Sequence, residues 1–208
     1  MFQNRRMIDF IQDLSSASPT PGGGGSSAIV AALASALGMM VTNLTIGKKK
    51  YAEFEEEVIL VRQRLSELQI KLLSLAEEDE KAFLPLAEAY KMPTSTEEEK
   101  EKKKIVMEKA LYEASIVPLA IMETVMETME LLSVLKEKGT KIAISDVGVG
   151  ITFANAAMEG AGLNVFINTK MMADKDRRTE LNKRADELLE RSESCRKKIY
   201  CSVVNELR

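Results

Sequence analysis

The sequence of 208 residues contains no histidine and no tryptophan, and it has only two cysteines. The missing histidine removes the usual general base at neutral pH, the serine and cysteine triads built on histidine, and the commonest metal ligand. Any proton transfer must therefore use Asp, Glu, Lys, Tyr or Cys. Aromatic residues make up only 5% of the chain, which disfavours a stacking surface for single-stranded nucleic acid.

The two cysteines, Cys195 and Cys201, are six positions apart in a charged C-terminal segment. This spacing matches neither a zinc motif nor a redox CxxC motif, so we expect reduced thiols and no metal site. The formal net charge of -3 gives no general reason to expect nucleic acid or an anionic membrane as partner. The charged, amphipathic N-terminus has no apolar core of a signal peptide, and the sequence predicts a cytoplasmic protein.

No residue between Asp13 and Lys48 is charged, and residues 28–46 within this stretch are apolar enough to resemble a membrane span. Ser35, Thr42 and Asn43 interrupt the stretch, and much of the remainder is alanine. This composition favours a tightly packed helix at the centre of a bundle over a membrane-spanning helix.

Apolar residues recur with helical spacing along nearly the whole chain, and the alternating pattern of strands is scarce. The segment "KIAIS" is one piece that resembles a short strand, and Pro85 and Pro118 should kink or end the helices that contain them. The sequence predicts one all-α domain over residues 1–208, a bundle of five to seven helices. Several are long, and a central helix of small residues follows a glycine-rich loop. The predicted helices cover Phe2–Leu14, Ser26 or Ser27 to Thr45, Tyr51–Tyr90, Glu97–Lys138 and Asp174–Arg208.

The glycine run in "SPTPGGGGSSAIVAALASALGMM" needs a reason, because glycine loses more conformational freedom on folding than any other residue. Gly22 to Gly25 could form a flexible joint, a wide turn or a loop that lets backbone approach a ligand closely. Backbone N–H groups at a helix start are suited to anions. However, the run lacks the lysine of a phosphate-binding P-loop, and no strand precedes it as in the dinucleotide-binding fingerprint.

Two carboxylates are candidates for proton transfer. Asp146 is the one charged residue between Lys141 and Glu159, in apolar surroundings that suit a proton acceptor. The pattern favours a plainer role, with Ser145 or Asp146 as the N-cap of a helix starting at Val147. Asp79 falls on the apolar face of its predicted helix, where a carboxylate needs either a salt-bridge partner or a function. At another predicted helix end, Asn43 precedes Lys48, Lys49 and Lys50, which could be solvated or could hold the carboxylates of an acidic substrate.

Four blocks together resemble one family: "PTPGGGGSSAIVAALASALGMMVTNLTIGKKKY", "EDEKAF", "EASIVPL" and "SDVGVGITFANAAMEGAGLNVFIN". They are similar to the all-helical formiminotetrahydrofolate cyclodeaminase and methenyltetrahydrofolate cyclohydrolase family, in the family's order, from residue 19 to about 168. The resemblance implies a homodimeric, metal-free enzyme that acts on one-carbon tetrahydrofolates and needs no cofactor beyond that substrate.

The resemblance also implies roles for residues. Asp79 or Asp146 would move the proton. Gly22, Gly23, Gly24 and Gly25 with Ser26 would let backbone approach the folate, and Lys48, Lys49 and Lys50 would pair with its glutamate carboxylates. Asn155, Asn164 and Asn168 would recognise the pterin edges through their amides. Asn43 is included in the predicted binding set.

Hydrolysis of methenyltetrahydrofolate to formyltetrahydrofolate is the favoured reaction, since many relatives carry a formiminotransferase domain that this chain lacks. The alternative is the cyclodeaminase reaction, which releases ammonia and would need a separate formiminotransferase. A folate-binding helical protein without catalysis and a binder of small anions or nucleotides remain further alternatives.

Overall fold

The structure is a computed structural model in which residues 5–208 are described, and those residues form six α-helices and no strand. The predicted all-α class is therefore confirmed. The beginning of the first predicted helix, at Phe2, lies outside the described residues. The helices are α1 (Met7–Leu14), α2 (Gly23–Thr45), α3 (Glu55–Lys91), α4 (Glu97–Lys138), α5 (Ile144–Thr169) and α6 (Lys175–Leu207), with 3₁₀ turns at Lys49–Phe54 and Lys141–Ala143.

Helix α2 lies at the centre of the bundle, as its small residues predict, and it packs against α3, α4 and α5. A Cβ atom at Gly38 would lie 2.8 Å from Leu65 Cδ1 and 3.2 Å from Leu132 Cδ2. Small side chains thus let three neighbouring helices approach the same backbone. By length and composition α2 is the one helix among the described residues that could span a membrane, and 56% of its apolar window is buried inside the bundle.

The two internal prolines do not end their helices, contrary to one of the two outcomes that the sequence allowed. Pro85 lies inside α3 and Pro118 lies inside α4, both of which continue beyond them. The predicted start of α4 is confirmed, because Thr96 and Glu99 form a reciprocal capping box. The strand suggested for "KIAIS" is wrong, since these residues form the 3₁₀ turn and the first residues of α5.

The start of α2 differs from the prediction. The helix begins at Gly23 with Gly22 as its N-cap, so three of the four glycines belong to its first turn. Neither serine is the cap, because the hydroxyl groups of Ser26 and Ser27 donate to the carbonyl oxygens of Gly22 and Gly23 at 2.8 and 2.7 Å. The predicted end is confirmed: α2 ends at Thr45, and Gly47 adopts a positive φ of 78°.

Helices α2 and α5 run antiparallel, with Ser27 beside Gly160 and Ala34 beside Gly150. Their outward sides form a continuous apolar surface, which we call the α2–α5 face. Large residues on it are well exposed, up to 68% for Leu163. The helical spacing of three and four places these residues in two adjacent stripes. The stripes are Val30, Leu33, Leu37, Met40 and Leu44 on α2, and Val149, Phe153, Ala156, Leu163 and Ile167 on α5.

Substitution of Gly38 should destabilise the bundle in proportion to side-chain size. We expect Gly38→Val to lower the free energy of unfolding by about 1–3 kcal/mol, because the added methyl groups overlap Leu65 and Leu132. Gly38→Ala should cost less, because the end of the Leu65 side chain can turn aside. Urea unfolding of both variants measures this order, and equal stability of wild type and Gly38→Val would contradict the packing described here.

Candidate active site

The candidate site centres on a contact between the first turn of α2 and the middle of α3. The backbone N–H of Gly25 donates to Oδ2 of Asp79 at 2.8 Å. Within residues 5–208, no other hydrogen bond to this carboxylate is found. Asp79 is half-buried on the apolar side of α3, between the buried residues Leu75 and Leu86, as the helical pattern predicts.

The glycine run allows this contact. A Cβ atom at Gly24 would overlap the carboxylate of Asp79, and one at Gly23 would lie 3.1 Å from Nδ2 of Asn164. At Gly25 a Cβ atom would meet the carbonyl oxygen of Ala76 at 3.4 Å, which is a normal contact distance. The run is therefore neither a flexible joint nor a loop, because its glycines bring helix backbone against two polar side chains.

Burial raises the pKa of Asp79 to about 6, and the neighbouring charge of Glu80 acts in the same direction. The hydrogen bond from the Gly25 N–H opposes this by stabilising the ionised form. The loss of water around the carboxyl group outweighs that hydrogen bond. Asp79 is thus a carboxylate that can accept a proton near neutral pH, in a chain without histidine.

Asp79 lines a cavity of about 230 Å³ at the N-terminal end of α2. Backbone of Gly22 and Gly23 forms one side, and helices α3, α4 and α5 form the others. The volume lies below the range of about 300–1,000 Å³ typical of small-molecule sites. The lining residues are Pro19, Thr20, Gly22, Gly23, Asp79, Phe83, Ala114, Asn164, Ile167 and Asn168.

Two of the three asparagines predicted to recognise the pterin edges line this cavity. Asn164 donates its Nδ2 to the carbonyl oxygen of Gly160 at 2.8 Å, and Asn168 donates to that of Ala114 at 2.8 Å. Pro118 follows Ala114 by four residues and has no N–H for that carbonyl, so Asn168 supplies the missing donor. The proline in α4 thus leaves an acceptor that fixes the side chain of Asn168. The amide oxygen of that side chain, Oδ1, stays available to a ligand.

Five further residues line the cavity and were not among the predicted site residues: Pro19, Thr20, Phe83, Ala114 and Ile167. Phe83 was detectable, because it lies one helical turn after Asp79 on the same side of α3. Thr20, Ala114 and Ile167 lie within the motif blocks of the family resemblance, but no local pattern in those blocks marks them as cavity residues, because their place depends on how separate elements meet.

The remaining predicted residues lie elsewhere in the chain. Asn43 and Lys48, Lys49 and Lys50 lie at the C-terminal end of α2, which is about 35 Å long at 1.5 Å per residue. Lys48 Nζ donates to Oγ1 of Thr140 at 3.2 Å, and Oδ1 of Asn43 accepts a hydrogen bond from Arg62. The structure therefore does not bring these residues to Asp79 within one chain.

Asp146 lies at this same far end, in the first turn of α5. It is not the N-cap that the sequence allowed, and neither is Ser145, because α5 begins at Ile144 with Ala143 as the cap. Asn155 lies in the middle of α5, donates to Oε1 of Glu159 at 2.8 Å and does not line the cavity. No group of three His, Cys, Asp or Glu side chains within residues 5–208 could hold a metal ion.

Comparison with known proteins agrees with this architecture. Residues 6–187 match the family model of formiminotransferase-cyclodeaminase. A methenyltetrahydrofolate cyclohydrolase of Methylorubrum extorquens is 37% identical over 98% of both chains. A formimidoyltransferase-cyclodeaminase of Gallus gallus is 33% identical over 87% of this chain, which corresponds to 34% of that longer protein. A crystal structure of a formiminotetrahydrofolate cyclodeaminase from Thermotoga maritima superposes with a TM-score of 0.90 at 28% identity, covering all of both chains.

These comparisons define the class: the solved relative shares this all-helical bundle, and two of the relatives are named for reactions of tetrahydrofolates. The chain belongs to the formiminotransferase-cyclodeaminase family, and the resemblance found in its motifs is confirmed.

Replacement of Asp79 should make the protein more stable above pH 6. A carboxyl group with a pKa of about 6 when folded and 3.8 when unfolded contributes stability below pH 4 that is lost as the pH rises through 6. Asp79→Asn removes this loss, so at pH 8 it should exceed the wild type by about 1–3 kcal/mol. Urea unfolding at pH 8 and pH 4.5 measures the difference, which should shrink at the lower pH. Asp186→Asn, at an exposed position of α6, is the control; a destabilised Asp79→Asn at pH 8 would contradict the assignment.

Alanine substitutions at neighbouring glycines should separate the close contact from general helix effects. Gly24→Ala should lower the free energy of unfolding by about 1–3 kcal/mol, because its Cβ atom displaces the carboxylate of Asp79. Gly25→Ala is the matched control in the same turn, and its Cβ atom makes only a normal contact with Ala76. Chemical unfolding of both variants checks this, and equal effects at the two positions would exclude a special role for the Gly24–Asp79 contact.

Proposed function

We propose that this chain hydrolyses methenyltetrahydrofolate to formyltetrahydrofolate, with Asp79 as the general base. The observation that carries the proposal is the half-buried carboxylate of Asp79, with a pKa raised to about 6, in a cavity beside the start of α2. The cyclohydrolase that is 37% identical over 98% of both chains supports the choice of reaction.

The chemistry requires a group that takes a proton from water and then returns one. The oxygen of water adds to the methenyl carbon, one carbon–nitrogen bond breaks, and a formyl group remains on the other nitrogen. One of the two protons of water ends on the released nitrogen, and the other reaches solvent as the positive charge of the methenyl bridge is lost. Asp79 is mostly ionised at pH 7, so it can take the first proton and deliver it to the departing nitrogen.

The other side chains at the cavity suit the polar edges of a pterin ring. Asn164 and Asn168 each have one amide hydrogen fixed by a backbone carbonyl, which orients the rest of the amide. Backbone at Gly22 and Gly23 can approach the ring closely, and Phe83 with Ile167 supplies apolar surface. Ser26 contributes by stabilising the first turn of α2, because its hydroxyl group donates a hydrogen bond to the carbonyl oxygen of Gly22. Asn155 takes no part in this proposal because it lies outside the cavity.

The cyclodeaminase reaction is the second candidate. In that reaction, a neighbouring nitrogen attacks the formimino carbon and ammonia leaves, and the same base could serve. The matching part of this chain covers 34% of the relatives named for both transferase and deaminase. The cyclodeaminase reaction needs a formiminotransferase as the source of its substrate, whereas the hydrolysis needs no such partner.

Three further features belong to the proposal. The enzyme acts as a homodimer, which the exposed α2–α5 face supports. It uses no cofactor or metal beyond its folate substrate, because the proton transfer can be carried by Asp79. It works in the cytoplasm, in keeping with its two unpaired cysteines, Cys195 and Cys201.

Loss of methenyltetrahydrofolate absorbance with purified protein, measured against the uncatalysed decay, tests the reaction. We expect faster decay and no ammonia from formiminotetrahydrofolate. The value of kcat/KM should fall as the pH drops below 6, because Asp79 must be ionised to act as a base. Asp79→Asn should lower kcat by about 10²–10⁴-fold, whereas Asp186→Asn should leave it unchanged.

Each other result selects a different conclusion. Release of ammonia would identify the cyclodeaminase. Tight folate binding without either reaction would identify a folate-binding protein, and protection by phosphate or ATP but not by folates would identify an anion or nucleotide binder. Full turnover by Asp79→Asn would eliminate Asp79 as the base.

A further inference from the structure

Pro118 is a proline in the middle of a long helix. Helix α4 runs from Glu97 to Lys138 and continues through it. A proline inside a helix is unfavourable, because it has no backbone N–H and its ring crowds the carbonyl group four residues earlier. Pro118 is buried and does not line the cavity at Asp79. Any effect of Pro118 on the site must therefore pass through a neighbouring residue.

The carbonyl group that Pro118 leaves free is that of Ala114. In a regular helix this oxygen would accept a hydrogen bond from the N–H of residue 118. Ala114 is buried, with 4% of its surface exposed, and a buried carbonyl group without a donor is costly. Asn168 of α5 supplies the donor, since its Nδ2 lies 2.8 Å from the oxygen of Ala114. The amide of Asn168 is thus held by a carbonyl group that has no helical donor of its own.

Asn164 is attached in a different way. Its Nδ2 donates to the oxygen of Gly160 at 2.8 Å, within its own helix α5. That oxygen is also the regular helical acceptor for the backbone N–H of Asn164. Asn164 is therefore held by the helix to which it belongs, independently of α4. The proline in α4 affects Asn168 and not Asn164.

The attachment decides which hydrogen-bonding group Asn168 offers to a ligand. A side-chain amide has two N–H hydrogens and one oxygen acceptor. The hydrogen bond from Nδ2 to Ala114 fixes the direction of the amide and leaves Oδ1 available as an acceptor. The carboxylate of Asp79 is a second acceptor in the same cavity. A ligand edge that carries N–H donors, such as the aminopyrimidine side of a pterin ring, matches these acceptors.

We propose that Pro118 is a positioning residue for substrate binding, which withholds an N–H from the oxygen of Ala114 and so keeps the amide of Asn168 in the orientation that binds the ligand. An N–H at residue 118 would compete with Asn168 for this oxygen, and the amide would be free to turn. The part in substrate binding rests on the proposed function. The dependence of Asn168 on Pro118 does not, because it follows from hydrogen bonding in the free protein.

Steady-state kinetics with methenyltetrahydrofolate test the proposal. Pro118→Ala returns an N–H to the helix and should raise KM by about 3–10-fold, the factor expected for one weakened hydrogen bond, with kcat changed less than about twofold. Pro118→Val also returns the N–H, keeps more of the buried volume and should give the same result. A merely structural role would instead lower the active fraction of enzyme, and hence kcat, at constant KM. An unchanged KM in both variants would overturn the proposal.

Double variants show whether Pro118 acts through Asn168. Asn168→Ala should raise KM at least as much as Pro118→Ala, and the two changes together should be no worse than Asn168→Ala alone. Asn164→Ala is the matched comparison, because its amide is held within α5, and its effect on KM should multiply with that of Pro118→Ala. If the effects of Pro118→Ala and Asn168→Ala multiply instead, the proline acts elsewhere and the proposal is wrong.

Pro85 provides a control for the removal of a proline from a helix. It lies inside α3 at an exposed position, and its missing N–H frees the carbonyl oxygen of Lys81, which is also exposed. Water can satisfy that oxygen. Pro85→Ala should therefore leave KM unchanged. A rise in KM equal to that of Pro118→Ala would show that removal of either helix proline disturbs the cavity, and it would contradict the assignment to Asn168.

A folding cycle tests the link between the two residues without any assay of activity. Asn168→Ala should lower the urea midpoint of the otherwise wild-type chain, because it leaves the oxygen of Ala114 without a donor. In the Pro118→Ala background the same change should lower the midpoint less, since the restored N–H satisfies the oxygen. Equal shifts in the two backgrounds would exclude the dependence of Asn168 on Pro118.

The proposed function and the positioning role can fail separately. A wild-type protein without turnover of methenyltetrahydrofolate would end the proposed function, and with it the role of Pro118 in substrate binding. The folding cycle would still decide the dependence of Asn168 on Pro118. An active wild type whose KM responds to neither change at position 118 would keep the function and remove the positioning role.

Discussion

The contact between Asp79 and the first turn of α2 is the constraint on which the site depends. The contact requires a helix position without a side chain, because a Cβ atom at Gly24 would overlap the carboxylate of Asp79. The same requirement recurs along α2, where Gly38 makes room for Leu65 and Leu132. Close approach of α2 to its neighbours therefore forms both the core and the cavity, and the cost of ordering four glycines is offset by this packing.

The position of Asp79 lowers the stability of the folded chain at neutral pH and raises the proton affinity of its carboxylate. A carboxylate with its pKa raised to about 6 is held in a drier environment than it would prefer at neutral pH. That energetic penalty gives the chain, which has no histidine, a carboxylate able to take up a proton near neutral pH. One N–H from Gly25 keeps the group oriented and partly ionised. A second or third donor would lower the pKa further and weaken the base.

The distribution of polar residues gives the fold two ends with different chemistry. One end has a carboxylate, two asparagines and glycine backbone, whereas the other has three lysines, Asn43 and Asp146. The apolar α2–α5 face lies between the two ends, and several of its large side chains are exposed. The antiparallel packing of α2 against α5 therefore sets where both polar ends lie.

The all-α class, most helix bounds and the candidates Asp79, Asn164 and Asn168 were predictable from local pattern and from motifs. The capping box at Thr96 and the buried face of α3 depend on residues only a few positions apart. Such local patterns can be read directly from the sequence. The start of α2 at Gly23 was not predictable, because the reason for it is Asp79, more than fifty residues away. Pro118 likewise fixes Asn168 only because α4 and α5 are adjacent. The sequence determined which side chains are available for chemistry. Tertiary packing decided that Asp79 and Asp146 lie at opposite ends, because the length of the helices separates residues that no local pattern can place.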